Sequence, residues 1–251
     1  MLGLLAVLTV ATAASPDALY ASGLDHARAG QHDEATAAFV QALDAGGRDP
    51  AVYHGLGNAL WRLGAPGPAT AAWRRGLRLA PRDGDIAANL DRARRASRDN
   101  LEPPAPAADL FFWQGMLSPR DSGVLASVFL MLALAAPLLR RLRSAQRPIG
   151  LESGVALVLA VLLAVSTRAA LVTEASVVVV ADEVSVRSAL GPDGVELFVL
   201  HEGAEVRLLE THRDHHLVTL PDHRKGWVPA DATLSTNPSA PFPPAGLVTA
   251  P

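Results

Sequence analysis

Five of the chain's eight histidines fall in one short stretch, His201, His212, His215, His216 and His223. With Asp214 among them they supply the donor types that hold a divalent metal. A metal site also needs its donors on one side of the backbone. Alternation along a strand sends His215 and His216 to opposite faces, so this cluster reads as a solvated hairpin tip. No cysteine is present, which removes thiolate metal sites, disulfides and a cysteine nucleophile. The sequence also lacks a Gly-x-Ser-x-Gly elbow, a Walker loop, a His-Glu-x-x-His helix and a dinucleotide fingerprint. The reading is therefore of a non-enzyme with no cofactor and no metal.

Composition directs attention elsewhere. The 251 residues carry 22 basic and 25 acidic side chains, a formal charge of −3, which excludes a nucleic-acid-coating protein. Charged residues are only 19% of the chain, and the mean hydropathy is +0.21. That balance predicts segments in lipid. Met1 to Ala13 bears no charge and ends in small residues, the length of a signal-peptide apolar region, and a signal segment is expected over 1–14.

Two longer apolar runs follow. Gly123–Leu139 is 17 residues without a charge, about 25 Å of helix. The second, within 151–172, is interrupted only by Glu152 near its start and by Arg168, placed to reach the headgroups. Both are expected to be transmembrane helices. The loop 140–150 holds Arg140, Arg141, Arg143 and Arg147 and no acid, which predicts that it faces the cytoplasm, with both termini periplasmic at a bacterial inner membrane. Residues 99–122 form a linker, in which Phe111, Phe112 and Trp113 suit the headgroup level.

Between Asp17 and Ser97 the chain resembles itself. Gly23 recurs as Gly57, Gly30 as Gly64, Ala35 as Ala69, Phe39 as Trp73 and Leu43 as Leu77, each pair 34 residues apart. Small residues let paired helices approach, Phe39 and Trp73 fill the space between them, and Pro81 stops a helix. Tyr53, Leu56, Gly57, Leu60, Gly64, Ala69, Trp73 and Pro81 resemble the signature of the tetratricopeptide repeat. The module 15–98 is expected to hold two such helix-turn-helix repeats and a capping helix over Asp85–Arg98. By that resemblance Tyr20, Arg28, His54, Asn58, Trp61 and Arg62 line an inner groove that binds a peptide backbone or carboxylate. Arg74, Arg75 and Arg78 fall off the Trp73/Leu77 face and are expected to meet solvent, or an acidic partner or anionic lipid. Two repeats and a cap leave apolar surface uncovered, so the module is expected to need a partner surface.

From Ala175 to Ser235 the period changes to two, in short runs separated by Gly191-Pro192-Asp193-Gly194, Glu202-Gly203 and Pro221-Asp222. About five strands are expected in a small all-β barrel over 175–235. The fragments Val184-Ser185-Val186-Arg187-Ser188, Glu202-Gly203-Ala204-Glu205-Val206 and Gly226-Trp227-Val228 resemble bacterial SH3 domains, in which that tryptophan sits at the core. The Pro-rich tail 236–251 is expected to be disordered.

The fold class predicted is thus multi-domain: a helical repeat module, two transmembrane helices and an SH3-like barrel. That order resembles the BatE-type proteins of the aerotolerance operon. The resemblance implies an inner-membrane scaffold whose partners are proteins, von Willebrand A-domain membrane proteins among them, in an aerotolerance or envelope-stress complex. The alternatives are a peptidoglycan-binding tether acting through the SH3-like domain, and an assembly factor for a membrane complex.

Overall fold

In the computed structural model the described residues are 14–99, 101, 113, 116–142, 151–173, 176–190 and 194–243. The chain begins with five helices, α1 (Pro16–Arg28), α2 (His32–Asp44), α3 (Pro50–Arg62), α4 (Pro66–Leu79) and α5 (Gly84–Ala96). Their starts are written locally. Ser15, Asp49 and Asp83 stand at the N-caps of α1, α3 and α5, and each accepts a backbone N–H from the first turn. Pro16, Pro50 and Pro66 follow at positions where a missing N–H costs nothing. The α1–α2 and α3–α4 turns close through Gly30 and Gly64, with φ of 76° and 79°. The 34-residue offset seen between residue pairs is thus also the offset between helix starts, cap for cap.

The helical core holds Ala35, Phe39, Leu56, Leu60, Ala69, Trp73, Ile86 and Leu90. Phe39 and Trp73 occupy equivalent places between helices. Leu56 and Leu90, also 34 apart, are both fully buried.

Helices α6 (Pro119–Leu142) and α7 (Leu151–Thr173) pack on each other. Here the expectation of two transmembrane helices is corrected. Among the described residues one helix is long and apolar enough to cross a membrane, Arg120–Leu139, with mean hydropathy 2.2. The apolar part of α7 is the shorter Ser153–Arg168. Sixteen residues rise about 24 Å, short of a hydrocarbon core of about 30 Å, because Glu152 and Arg168 bracket the apolar run. Trp113, expected at the headgroup level, donates its indole N–H to Ser166 of α7 at 3.0 Å. Residues 1–13 of the signal segment expected over 1–14, Phe111 and Phe112, and residues 143–150 of the arginine-rich loop lie outside the described residues.

The β part is the second correction. Seven strands, β1 (Ser176–Val179), β2 (Glu183–Arg187), β3 (Glu196–His201), β4 (Glu205–His212), β5 (His215–Thr219), β6 (Lys225–Pro229) and β7 (Thr233–Ser235), form one antiparallel sheet. Their order is β3-β2-β6-β5-β4-β1-β7. The sheet is open, with β3 and β7 as its two edges, and not a small SH3-like barrel. Two observations account for this. The β2–β6 contact is reduced to the pair Arg187↔Trp227, next to a register shift at Val186/Arg187. The other end, β1 and β7, packs against α4, so that edge is covered by a helix where a barrel would join it to a strand. Trp227, expected at the core, is half-buried with its ring 6.4 Å from that of His212. Valines fill the sheet's core instead: Val177, Val179, Val186, Val206, Val218 and Val228 are fully buried.

Helices and sheet share one interface. Glu205 on β4 accepts from Arg74 and Arg94, the latter at 2.8 Å. Gly67 N–H donates to Glu202 at 2.8 Å, and Asp99 takes both the backbone N–H and the ring Nδ1 of His201, each at 2.7 Å. Arg75, expected in solvent, is 1% exposed. Arg74, expected in solvent as well, is paired with Glu205 of the sheet. Phe242, in the tail expected to be disordered, joins the helical core.

Candidate functional site

Four of the six groove residues are brought together by a single helix. His54, Asn58, Trp61 and Arg62 succeed one another along α3 at helical spacing, which stacks them on one face. Helix α5 supplies the opposite wall. Asn89 donates through Nδ2 to Asn58 Oδ1 at 3.0 Å and to His54 Nε2 at 3.1 Å. The second bond requires His54 to carry its proton on Nδ1. Asn58, Trp61, Arg62, Trp73, Asn89 and Arg92 line a cleft of about 390 Å³.

Trp61 is its floor and lies against Trp73, ring centres 5.7 Å apart at 42°. The Trp73 Nε1–H is buried against the backbone of Gly57 and has no hydrogen-bond partner among the described residues. Arg62 and Arg92 are exposed at the mouth, and neither has an ion pair among the described residues. The cleft therefore offers two amides for a peptide backbone, an aromatic floor for an apolar side chain and two guanidiniums for a carboxylate.

The other two expected residues stand elsewhere. Tyr20 on α1 is half-buried with its ring 5.9 Å from Phe39, so it is spent on packing. Arg28 pairs with Asp25 at 2.8 Å on the exposed surface of α1. Asn89 and Arg92 are site residues that the groove assignment lacked. Arg92 lies 34 residues after Asn58 and was legible by the same period. Asn89 follows Gly55 by that offset, and nothing in the earlier repeat announces it.

A second cavity of about 390 Å³ opens on the other side of Trp61, between the helices and the sheet. Pro66, Thr70, Arg98, Asp182, His201 and Glu202 are among its lining. Burial raises the Glu202 carboxyl above the ordinary range and Asp182 adds to this, against the opposing hydrogen bond from Gly67 N–H. At Glu205 burial pushes upward as well, but Arg74 and Arg94 outweigh it and hold that carboxyl below the ordinary range. The His215–His216 pair is divided as alternation requires. His216 Nδ1 meets Thr233 Oγ1 at 2.9 Å, and its pKa is lowered by burial and then by His215. No group of three metal-ligating side chains occurs among the described residues.

No family model, curated protein or solved structure matches this chain.

Proposed function

We propose that this protein is a scaffold that binds an extended protein segment bearing an acidic side chain or a free C-terminus in the α3–α5 cleft. The observation that carries the reading is the arrangement of Asn58 and Asn89 beside Trp61, with Arg62 and Arg92 at the mouth and unpaired among the described residues. Amides that already bond each other hold their remaining donors and acceptors in fixed directions. That preorganisation favours a peptide backbone over a loose anion. Attachment to a lipid bilayer is part of the proposal. Helix α6 exposes a run of large apolar side chains, with Met131 at 70% and Leu134 at 65% exposure. An apolar face of that extent is a surface for lipid.

The test is fluorescence anisotropy of the detergent-solubilised full chain with a labelled hexapeptide ending Asp-Glu with a free carboxylate, and with its C-terminal amide. The acid should bind more tightly than the amide. Arg62→Ala with Arg92→Ala should weaken it about tenfold or more, the loss expected for charge-assisted bonds, while far-UV circular dichroism stays unchanged. Equal binding by the folded double variant, or no binding of either peptide by the native chain, would overturn the proposal.

A further inference from the structure

The segment that follows β7 is held by the helices as a receptor holds a peptide. Thr236 N–H is taken by Ser176 O of β1 at 3.0 Å, and the backbone donors of Asn237, Ser239 and Ala240 are used within the segment. Ser239 N–H bonds Asn237 Oδ1 at 2.9 Å and Ala240 N–H bonds Asn237 O at 3.1 Å, closing a turn over Asn237–Ala240. Pro238 and Pro241 have no N–H at all. What the segment offers outward is carbonyl oxygens, and the helices present matching donors. Arg75 donates from Nε to Ser235 O at 2.9 Å, from Nη1 to Ala240 O at 2.8 Å and from Nη2 to Pro241 O at 3.3 Å. Tyr53 Oη donates to Pro238 O at 2.7 Å. Phe242 is 4% exposed within the helical core, its ring centre 4.9 Å from the Arg75 guanidinium carbon.

Arg75 is the telling residue. It is a buried cation with no carboxylate partner among the described residues, and it is satisfied by peptide carbonyls and an aromatic face. Burial lowers its pKa, opposed by Tyr53. A structural arginine in a helical core is ordinarily matched with an acid, because an uncompensated buried charge is costly. A fork of donors aimed at successive carbonyls, next to an aromatic slot, is instead the chemistry of a peptide site.

We infer that the face formed by Tyr53 and Arg75 is a recognition site for a turn-forming Asn-Pro-x-x-Pro-Phe segment. Residues 235–242 are its tethered ligand, and a partner segment of the same chemistry exchanges with them. This site is separate from the α3–α5 cleft and does not rest on that reading. Tethering gives the chain's own segment an effective concentration of about millimolar order, so an outside segment enters only when the internal one is weakened.

The experiment uses the detergent-solubilised full chain and a fluorescein-labelled synthetic peptide, Ser-Thr-Asn-Pro-Ser-Ala-Pro-Phe-Pro, copying residues 235–243. Phe242→Ala, which weakens the internal ligand and leaves the receptor intact, should bind the peptide about tenfold or more tighter than the native chain. Adding Arg75→Met to that variant should abolish the gain, and a peptide with alanine for phenylalanine should not bind. Asn237→Ala, which opens the internal turn, is the milder second variant and should tighten binding about threefold. A folded Phe242→Ala chain that binds no better than native overturns the inference. If Phe242→Ala does not fold, equal binding by Asn237→Ala and the native chain overturns it.

Discussion

Gly23 and Phe39 fit each other so closely that a Cβ on the glycine would stand 2.6 Å from the ring's Cε1. A Cβ on Gly55 of α3 would likewise stand 2.6 Å from Cζ of the same ring. Phe39 is fully buried, with Gly23 and Gly55 both close against its ring. Gly23→Ala must therefore move a ring wedged between helices, and the expected loss is about 1–3 kcal/mol from overpacking. Chemical denaturation of the full chain in detergent checks this. A variant as stable as the native chain would mean that α1 and α2 are not packed at this distance.

Trp73 and Arg75 neighbour each other on α4, and both are buried. Trp73→Ala should cost about 3–5 kcal/mol, the range for deleting a large buried aromatic. Arg75→Ala removes no large apolar group, yet it leaves the carbonyls of Ser235, Ala240 and Pro241 without their donor. An orphaned buried acceptor costs about 1–3 kcal/mol, and water entering the vacated space offsets part of it, so about 2–3 kcal/mol is expected in all. Arg95, exposed and paired with Asp91 one turn back on α5, is the control. Arg95→Ala should cost under about 0.5 kcal/mol. Thermal unfolding that ranked Arg75→Ala with Arg95→Ala would contradict the buried placement.

These contrasts show what the sequence discloses and what it withholds. The glycine–aromatic pairs were readable because helix pairing repeats at fixed separation, whereas the caps Ser15, Asp49 and Asp83, which keep the same separation, came only with the structure. The cleft was readable in part, since His54, Asn58, Trp61 and Arg62 share one helix and a face follows from spacing alone. Asn89 was not, because its role depends on where α5 crosses α3. Arg75 was misplaced in solvent for the same reason: the helix period assigned it to an outer face, and nothing local indicates that residues 235–242 return to cover that face. Strand positions came from alternation, but alternation carries no information on pairing order. Whether the sheet closes is decided by β1 and β7 meeting α4. The second apolar helix was over-read by counting through Arg168, whose charge ends the apolar run.

Glu205 should make stability sensitive to acid. Its folded pKa lies below the ordinary glutamate value because Arg74 and Arg94 outweigh burial. A depressed folded value means that the unfolded chain takes up the proton first. The stabilisation is thus present above the unfolded pKa and is lost as pH falls through the folded one. Glu205→Gln should cost about 2–4 kcal/mol at neutral pH, since two partly buried guanidiniums lose their counter-charge. The difference from the native chain should shrink in acid. Melting temperatures measured from pH 7 downward test this, and a gap independent of pH would remove the charge argument.

Glu202 should behave in the opposite sense although it lies three residues away on the same interface. Its folded pKa is raised, by burial first and then by Asp182, despite the hydrogen bond it accepts from Gly67. For a carboxyl with a raised folded value the folded chain takes up the proton first. Its contribution is then most favourable below the unfolded pKa and is lost as pH rises through the folded one. At neutral pH the charge at Glu202 therefore weakens the contact between helices and sheet. Glu202→Gln keeps an oxygen for the Gly67 N–H and removes the charge facing Asp182. The variant should melt higher than the native chain at neutral pH, by less than about 1 kcal/mol of stability because solvent reaches the side chain and screens it. The two chains should converge towards about pH 4, where the native carboxyl is protonated too. A lower melting temperature for Glu202→Gln at neutral pH would show that the Gly67 bond depends on a full negative charge, and that burial does not govern this carboxyl.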